Sequence, residues 1–408
     1  MLKEPTVTRI FGGYRFYWQD IKLQVCVSRI REPRDGTVKG EILIESLAEG
    51  NCRHIHQSQY NFISPDTRDK LAQILQRRYH LNEDLWAEIL EQLSNLLLLK
   101  HRQGEPVSHI TTEDVILEPE YLVYPILLLQ QPTVIFGDGG VGKSYFSLYL
   151  AVCALLPWHD NPLGLKVRQN PSKVLFLDWE ADDNTVRWRL HCLKTGLGLP
   201  YLVFDYLRCS QAFADDIEHI QDKLNNTGAE FIIIDSIAGA CGGDLTASEP
   251  ATRFYNALRS LNVTSLIIAH NPKGDGKKTI YGSAIFEHRA RSVWECKALH
   301  EPGDDELLVG LYHRKANNSR LNKPLGFKIS FNDKATVVTK YSVEAVPGFE
   351  KSLSLTDRIL RLLKEGAMGK EEIAAEIGGN SKSVGVTLSN MKSNGLIVPD
   401  GGKYRLLS

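Results

Sequence analysis

The sequence predicts an α/β protein: a mostly parallel sheet flanked by helices, with a smaller α+β region before it and a compact helical region after it. Three observations carry this prediction. Between residues 113 and 346 the apolar runs TVIF, KVLFLDW, EFIIID and SLIIAH are each followed by helix-like text. Such alternation is the pattern of parallel strands with helices packed on the sheet. Earlier in the chain the apolar residues alternate with period two, and residues 352–408 hold three helical stretches that each stop at a glycine.

At 408 residues the chain is long for one core. The expected units are 1–112, 113–346 and 352–408, joined by RQGEP near residue 104 and by a hinge at AVPGFEKSLS. The composition, 43% apolar and 24% charged, is ordinary for a soluble globular protein. A net charge of −1 excludes a global basic field, so any nucleic-acid contact must be local. The seven cysteines (Cys26, Cys52, Cys153, Cys192, Cys209, Cys241, Cys296) are scattered and form no Cys-x-x-Cys pair. That suits reduced thiols in a cytoplasm better than disulfides or zinc. The opening MLKEPTVTRIFGG has no apolar signal core, and no run approaches a membrane span. A cytoplasmic protein without a membrane partner is expected.

In the first region, Ile21, Leu23, Val25 and Val27 share one face of a strand, GTVKGEILIESL forms a second, and YRFYWQD precedes both. Ser64 caps a helix with Pro65 at its first position. A second helix carries Leu85, Ile89, Leu90, Leu93 and Leu97 at helical spacing. No catalytic constellation stands out here, and these stripes read as core.

The chemistry starts at PTVIFGDGGVGKSYFSLYL, where an apolar strand, a glycine-rich turn and Lys-Ser open a helix. Gly137, Gly142, Lys143 and Ser144 satisfy the phosphate-loop pattern, with Asp138, Gly139, Gly140, Val141 and Tyr145 within or beside the turn. Glycines let backbone N–H groups approach phosphate, and the helix N-terminus adds a favourable dipole. Lys143 would hold β- and γ-phosphates, and Ser144 would ligate Mg²⁺. Hydrolysis also needs a second carboxylate on the metal side, a water activator and charge opposite the transition state. Asp235 ends the strand EFIIID and suits the second metal residue. Its successor is Ser236 rather than a carboxylate, which argues against the AAA+ branch. Glu180, at the end of KVLFLDWE, is placed to orient or deprotonate water, with Asp178 as its nearest competitor and a solvated acidic turn as the plain alternative. The Asn-Lys at Asn322 lacks the Asp of a guanine-binding motif, and no transporter-type Leu-Ser-Gly-Gly signature occurs.

The ordered motifs GDGGVGKS, LFLDWE, IIIDS, LIIAHNPK, YGSAIFEHRAR and HRKANN resemble the RecA-like ATPases, in the branch of the hexameric replicative helicases RepA and DnaB. The resemblance covers residues 113–346 and implies a RecA-like sheet, ATP and Mg²⁺ as cofactors, and a hexameric ring around single-stranded DNA. It implies that Glu180 is the catalytic glutamate, Asp235 the Walker B residue and His270 a sensor of the γ-phosphate. It further implies that Arg291, or Arg289, is an arginine finger, and that Lys315 is a second trans-acting cation. Lys273, Lys277 and Lys278 fall in the loop that in this family faces DNA. The N-terminal unit resembles leader regions of phage- or plasmid-type relatives, which implies no role.

The C-terminal region looks like a winged helix-turn-helix. Ser381 to Asn394 would be the recognition helix and the hairpin at 396–407 the wing. Val384, Leu388 and Met391 should face inward, leaving Lys382, Ser383, Thr387 and Asn390 for DNA together with Lys392, Lys403 and Arg405. Winged helices also serve as protein–protein modules. The expected function is that of a ring ATPase acting on DNA, either as a replicative helicase of a phage or mobile element or as an ATP-gated regulator or loader.

Overall fold

A computed structural model of the chain describes residues 2–10, 12–47, 53–79, 85–104, 107, 109, 111, 118–272, 279–300, 303–343 and 354–407. The unit boundaries expected near residue 112 and between 346 and 352 lie outside the described residues.

The first region is an antiparallel sheet of Thr6–Ile10 (β1), Gly13–Trp18 (β2), Leu23–Arg31 (β3), Lys39–Ser46 (β4) and Arg53–Asn61 (β5), in that order. Leu23, Val25 and Val27 are buried as their alternation requires. Ile21 does not join them on the strand. It sits in the turn before β3, where Lys22 adopts φ 49° and its N–H donates to Gln19. The edge strands β1 and β5 are too polar to read from sequence; β5 buries only Ile55 and Tyr60. Helices Pro65–Arg78 (α1) and Leu85–Gln103 (α2) share a core with the sheet, and Ser64 accepts from the Thr67 N–H as a cap should. Ile89, Leu90, Leu93 and Leu97 are fully buried, each stabilising the unit by about 1.5–3 kcal/mol.

The central region opens with a three-stranded sheet of Tyr121–Tyr124 (β6), Leu127–Leu128 (β7) and Lys166–Val167 (β9). Between them come Pro132–Gly137 (β8) and Lys143–Leu155 (α3); afterwards come Val174–Asp178 (β10), Asp183–Leu197 (α4), Asp205–Arg208 (β11) and Ile217–Thr227 (α5). Phe231–Asp235 (β12), Ile237–Ala240 (α6), Ser248–Leu261 (α7), Thr264–His270 (β13) and Ile285–Arg289 (α8) follow. The region closes with Ser292–Leu299 (β14), Glu306–Ala316 (β15), Leu325–Asn332 (β16) and Ala335–Lys340 (β17). The nine-stranded sheet has the order β11-β10-β12-β13-β8-β14-β15-β16-β17. Neighbours from β11 to β14 pair in parallel, whereas β14 to β17 pair antiparallel. Helices α3 and α4 pack on one face and α5 and α7 on the other, giving two apolar layers around the sheet. This is the mostly parallel, helix-flanked sheet the sequence predicts. The antiparallel extension was not legible there, because its strands mix charged residues into short apolar runs. At Gly196 a Cβ would lie 2.2 Å from the Thr336 carbonyl oxygen, so glycine lets α4 lie directly on β17. The N-terminal sheet meets α5 through Arg31, which pairs with Glu218 at 2.7 Å, and Arg29, which reaches Asp222 at 3.2 Å.

The last region holds Leu355–Glu365 (α9), Lys370–Ile377 (α10), Ser381–Ser393 (α11) and a hairpin of Ile397–Asp400 (β18) and Lys403–Leu406 (β19). Gly401 and Gly402, at φ 56° and 85°, form the two-residue turn that a tight hairpin favours. Val384, Leu388 and Met391 are buried, as their helical spacing demands. No helix among the described residues is long and apolar enough to cross a membrane.

Candidate active site

Parallel register aligns the strand ends that matter. Asp178 pairs with Asp235 across β10 and β12, and His270 pairs with Gly137 across β13 and β8. The carboxyl ends of these strands therefore open on one edge of the sheet, where open α/β sheets bind ligands. A cavity of about 370 Å³ lies there, lined by the loop glycines, Lys143, Ser144, Tyr145, Glu180, Arg189, Asp235 and His270. Leu307, Phe331 and His300 close it from the antiparallel side.

The loop from Gly137 through Asp138, Gly139, Gly140 and Val141 to Gly142 is shaped by its glycines. Gly142 stands at φ 86°, and a Cβ on Gly137 would come within 2.2 Å of the Cys296 carbonyl oxygen on β14. Beside Gly139 and Gly140 the space is open. Lys143 is buried, and its Nζ donates to the carbonyls of Gly137 at 2.8 Å and Asp138 at 2.6 Å. Burial pushes the Lys143 pKa down, so the loop holds a desolvated ammonium ready to exchange carbonyls for phosphate oxygens. Asn271 donates to the Asp138 carboxylate at 3.1 Å and ties the loop to the end of β13.

Ser144 Oγ donates to Asp235 Oδ2 at 2.9 Å. Asp235 is buried, and burial raises its pKa to about 6 despite that hydrogen bond. A desolvated carboxylate without an ion-pair partner among the described residues, beside a serine hydroxyl and an open glycine turn, is a donor set that fits Mg²⁺ with a nucleotide phosphate.

Glu180 faces the same cavity, and its Oε1 accepts from Ser236 Oγ and lies 3.3 Å from His270 Nε2. The competitor, Asp178, is used otherwise. It is 1% exposed; one oxygen accepts the Glu180 and Ala181 N–H groups at 2.9 Å each, and the other accepts from Tyr206 at 3.1 Å. Asp178 thus builds the turn that presents Glu180.

Arg291 and Lys315 lie elsewhere. The Arg291 N–H donates to the carbonyl of Pro132, at the start of β8, whereas the phosphate loop leaves its end. The length of β8, ~16 Å, separates them. The Arg291 guanidinium is exposed and has no hydrogen-bond or ion-pair partner among the described residues. Arg289, the alternative, donates to Asn256 at 2.9 Å. Lys315 Nζ donates to the carbonyls of Glu287, His288 and Ala290.

Lys273, Lys277 and Lys278 lie outside the described residues. On α11, Lys382, Ser383, Asn390 and Lys392 are exposed, whereas the Thr387 hydroxyl donates to the Ser383 carbonyl. Lys403 and Arg405 are exposed but paired, with Glu372 at 3.7 Å and Asp400 at 3.2 Å.

With this geometry established, the family model described as "AAA domain" matches residues 102–276, a span that includes the loop, Glu180, Asp235 and His270. This span, less than half of the chain, is similar to the AAA domain family. Here the carboxylate facing the cavity beside Asp235 is Glu180, two residues past the end of the adjacent strand β10, and Ser236 donates to it. No curated protein matches the chain. Among solved structures, the KaiC-like protein PH0186 from the hyperthermophilic archaeon Pyrococcus horikoshii OT3 is similar at 17% identity, covering 58% of this chain and all of that one, with a TM-score of 0.39. At that score the likeness carries no further argument.

Arg189 was missed from sequence. It lines the cavity from α4 with its guanidinium 5.6 Å from the Tyr145 ring centroid, and Tyr145 meets Phe331 edge-on at 5.2 Å. One arginine in TVRWRLH carries no signal of its own, and only the seating of α4 on β17 aims it.

Proposed function

We propose that the chain is a Mg²⁺-dependent ATP hydrolase that works as a ring on DNA, as the replicative helicase of a phage or mobile element. The observation that carries the hydrolase reading is the Glu180 carboxylate facing the cavity that Lys143, Ser144 and Asp235 also line. Lys143 grips the phosphates, and Ser144 with Asp235 would hold Mg²⁺. Bound there, the ion supplies charge neutralisation across the phosphate oxygens. Glu180 orients the attacking water and takes its proton, while Ser236 and His270 fix the carboxylate. Arg189, Tyr145 and Phe331 form an aromatic and cationic wall suited to the base or ribose side.

Assembly is supported by what one chain lacks. Arg291 is remote from its own cavity and unpartnered among the described residues, as a finger acting on a neighbour's site would be. A hexameric ring meets that need and threads single-stranded DNA past the loop that follows His270. The C-terminal helices and hairpin, read as a winged helix, offer Lys382 and Lys392 to duplex phosphates. The second reading, an ATP-gated regulator or loader, is favoured by the pairing of Lys403 and Arg405, which leaves this surface a modest field.

ATP turnover with and without single-stranded DNA, alongside separation of a forked duplex, tests the proposal. Stimulation with strand separation supports the helicase; duplex binding without unwinding supports the regulator. Absence of turnover under all conditions overturns both.

A further inference from the structure

The strand pair that carries Arg291 and Lys315 is irregular where these residues emerge. Val293 pairs with Lys315 and Trp294 with His313, so Arg314 is an extra residue in β15. Such a bulge re-aims its neighbours. Arg314 turns to the buried Glu295, with Nε donating to Oε2 at 2.7 Å. His313, on the other side of the bulge, is buried and lies flat on Trp294, the ring centroids 4.2 Å apart.

The His313 ring is fixed at both nitrogens. Nδ1 accepts the backbone N–H of Asn322 at 3.0 Å, so Nε2 carries the proton and donates to Ser292 Oγ at 3.1 Å. The same Oγ accepts the Trp294 indole N–H at 2.9 Å. Ser292 is the residue after Arg291. On the far side of the bulge, Lys315 spends its ammonium on three carbonyls at the end of α8, at 2.5–2.9 Å, one of them that of Ala290, directly before Arg291. The chain on both sides of Arg291 is therefore clamped from β15.

We propose that His313 and Lys315 are positioning residues for Arg291, with His313 locking the bulge through Ser292 and Trp294, and Lys315 acting as a strut under the α8 turn. This rests on the reading of Arg291 as a finger for a neighbouring subunit. Lys315 then acts through Arg291 and does not itself reach the neighbour's phosphates. A guanidinium misplaced by about 1 Å can cost on the order of 10²-fold in rate.

The test uses full-length chains in steady-state ATP turnover, with ATP binding measured separately. His313→Leu and the milder Ser292→Ala and Lys315→Met should lower kcat by roughly 10-fold or more while leaving KM and ATP binding within about 2-fold. His313→Asn, whose amide oxygen can still accept the Asn322 N–H, should recover part of the loss. The decisive readout is mixing. A Lys143→Ala chain has a dead site but an intact finger, so adding it to His313→Leu chains should restore turnover at the shared interfaces. A defect confined to the variant's own site or fold is not rescued this way. Loss of ATP binding in all three variants, or no rescue on mixing, overturns the proposal. So does unchanged turnover in all three variants while Arg291→Ala is inactive. If Arg291→Ala itself turns over normally, the finger reading fails first, and that result is distinct from the others.

Discussion

His270 Nε2 lies 3.3 Å from Glu180 Oε1, the same oxygen that accepts from Ser236. One carboxylate oxygen thereby joins the ends of three neighbouring strands, β10, β12 and β13. With the loop after His270 facing DNA, as proposed, this contact would link DNA to the proposed water-activating group. His270→Ala should leave basal ATP binding intact and reduce stimulation by single-stranded DNA, by a factor within the roughly 5–150-fold range of coupling between sites. Turnover measured with and without DNA checks this; undiminished stimulation would remove His270 from the coupling route.

Asp178 and Glu180 should separate cleanly in mutagenesis. Asp178→Ala removes an acceptor for three hydrogen bonds from a fully buried position and should destabilise the protein by about 3 kcal/mol. Glu180→Gln should change stability by less than about 1 kcal/mol, since the group is partly exposed. Urea denaturation followed by intrinsic fluorescence gives both values.

The buried His313 makes stability depend on pH. Burial pushes its pKa down to about 4, below the ordinary histidine value near 6.5. Between those values the unfolded chain takes up a proton that the native chain refuses. Stability from this group is therefore fully present above pH ~6.5 and is lost as pH falls towards 4, by up to about 3 kcal/mol. His313→Gln should flatten this part of the stability profile, which denaturation at pH 7, 6 and 5 would reveal.

On the C-terminal helix, Lys382 and Lys392 are exposed without a counter-charge among the described residues, whereas Lys403 and Arg405 already face Glu372 and Asp400. Lys382→Ala and Lys392→Ala should each weaken duplex binding and lower the salt slope by about 0.9, with smaller effects at Lys403 and Arg405. Binding titrations between low and moderate salt measure the slopes; equal effects at all four would show that the ion pairs open on binding.

The legible parts of this protein were those written in short local patterns. The phosphate loop, the apolar strands ending in Asp178, Asp235 and His270, and the buried stripes of α2 and α11 all follow from spacing a few residues long. What stayed hidden depends on distant partners. Nothing near Arg189 marks it, because its place is set by α4 resting on β17 through Gly196. The strands β15 to β17 escaped notice since residues such as Glu306, Arg314 and Lys328 interrupt their apolar pattern, their charges being met across strands by one another and by Glu295. Sequence favours Glu180 but leaves Asp178 as its competitor, because Tyr206, which occupies Asp178, approaches from β11, a strand distant in the chain.

The central claim is that Glu180 activates water beside a nucleotide held by Lys143, Ser144 and Asp235. Its most direct test is single-turnover ATP hydrolysis by Glu180→Gln, with ATP affinity measured on the same preparation. The account predicts affinity within a few-fold of the parent chain and hydrolysis slowed by at least about 10²-fold. Hydrolysis at the parent rate with unchanged affinity would contradict it.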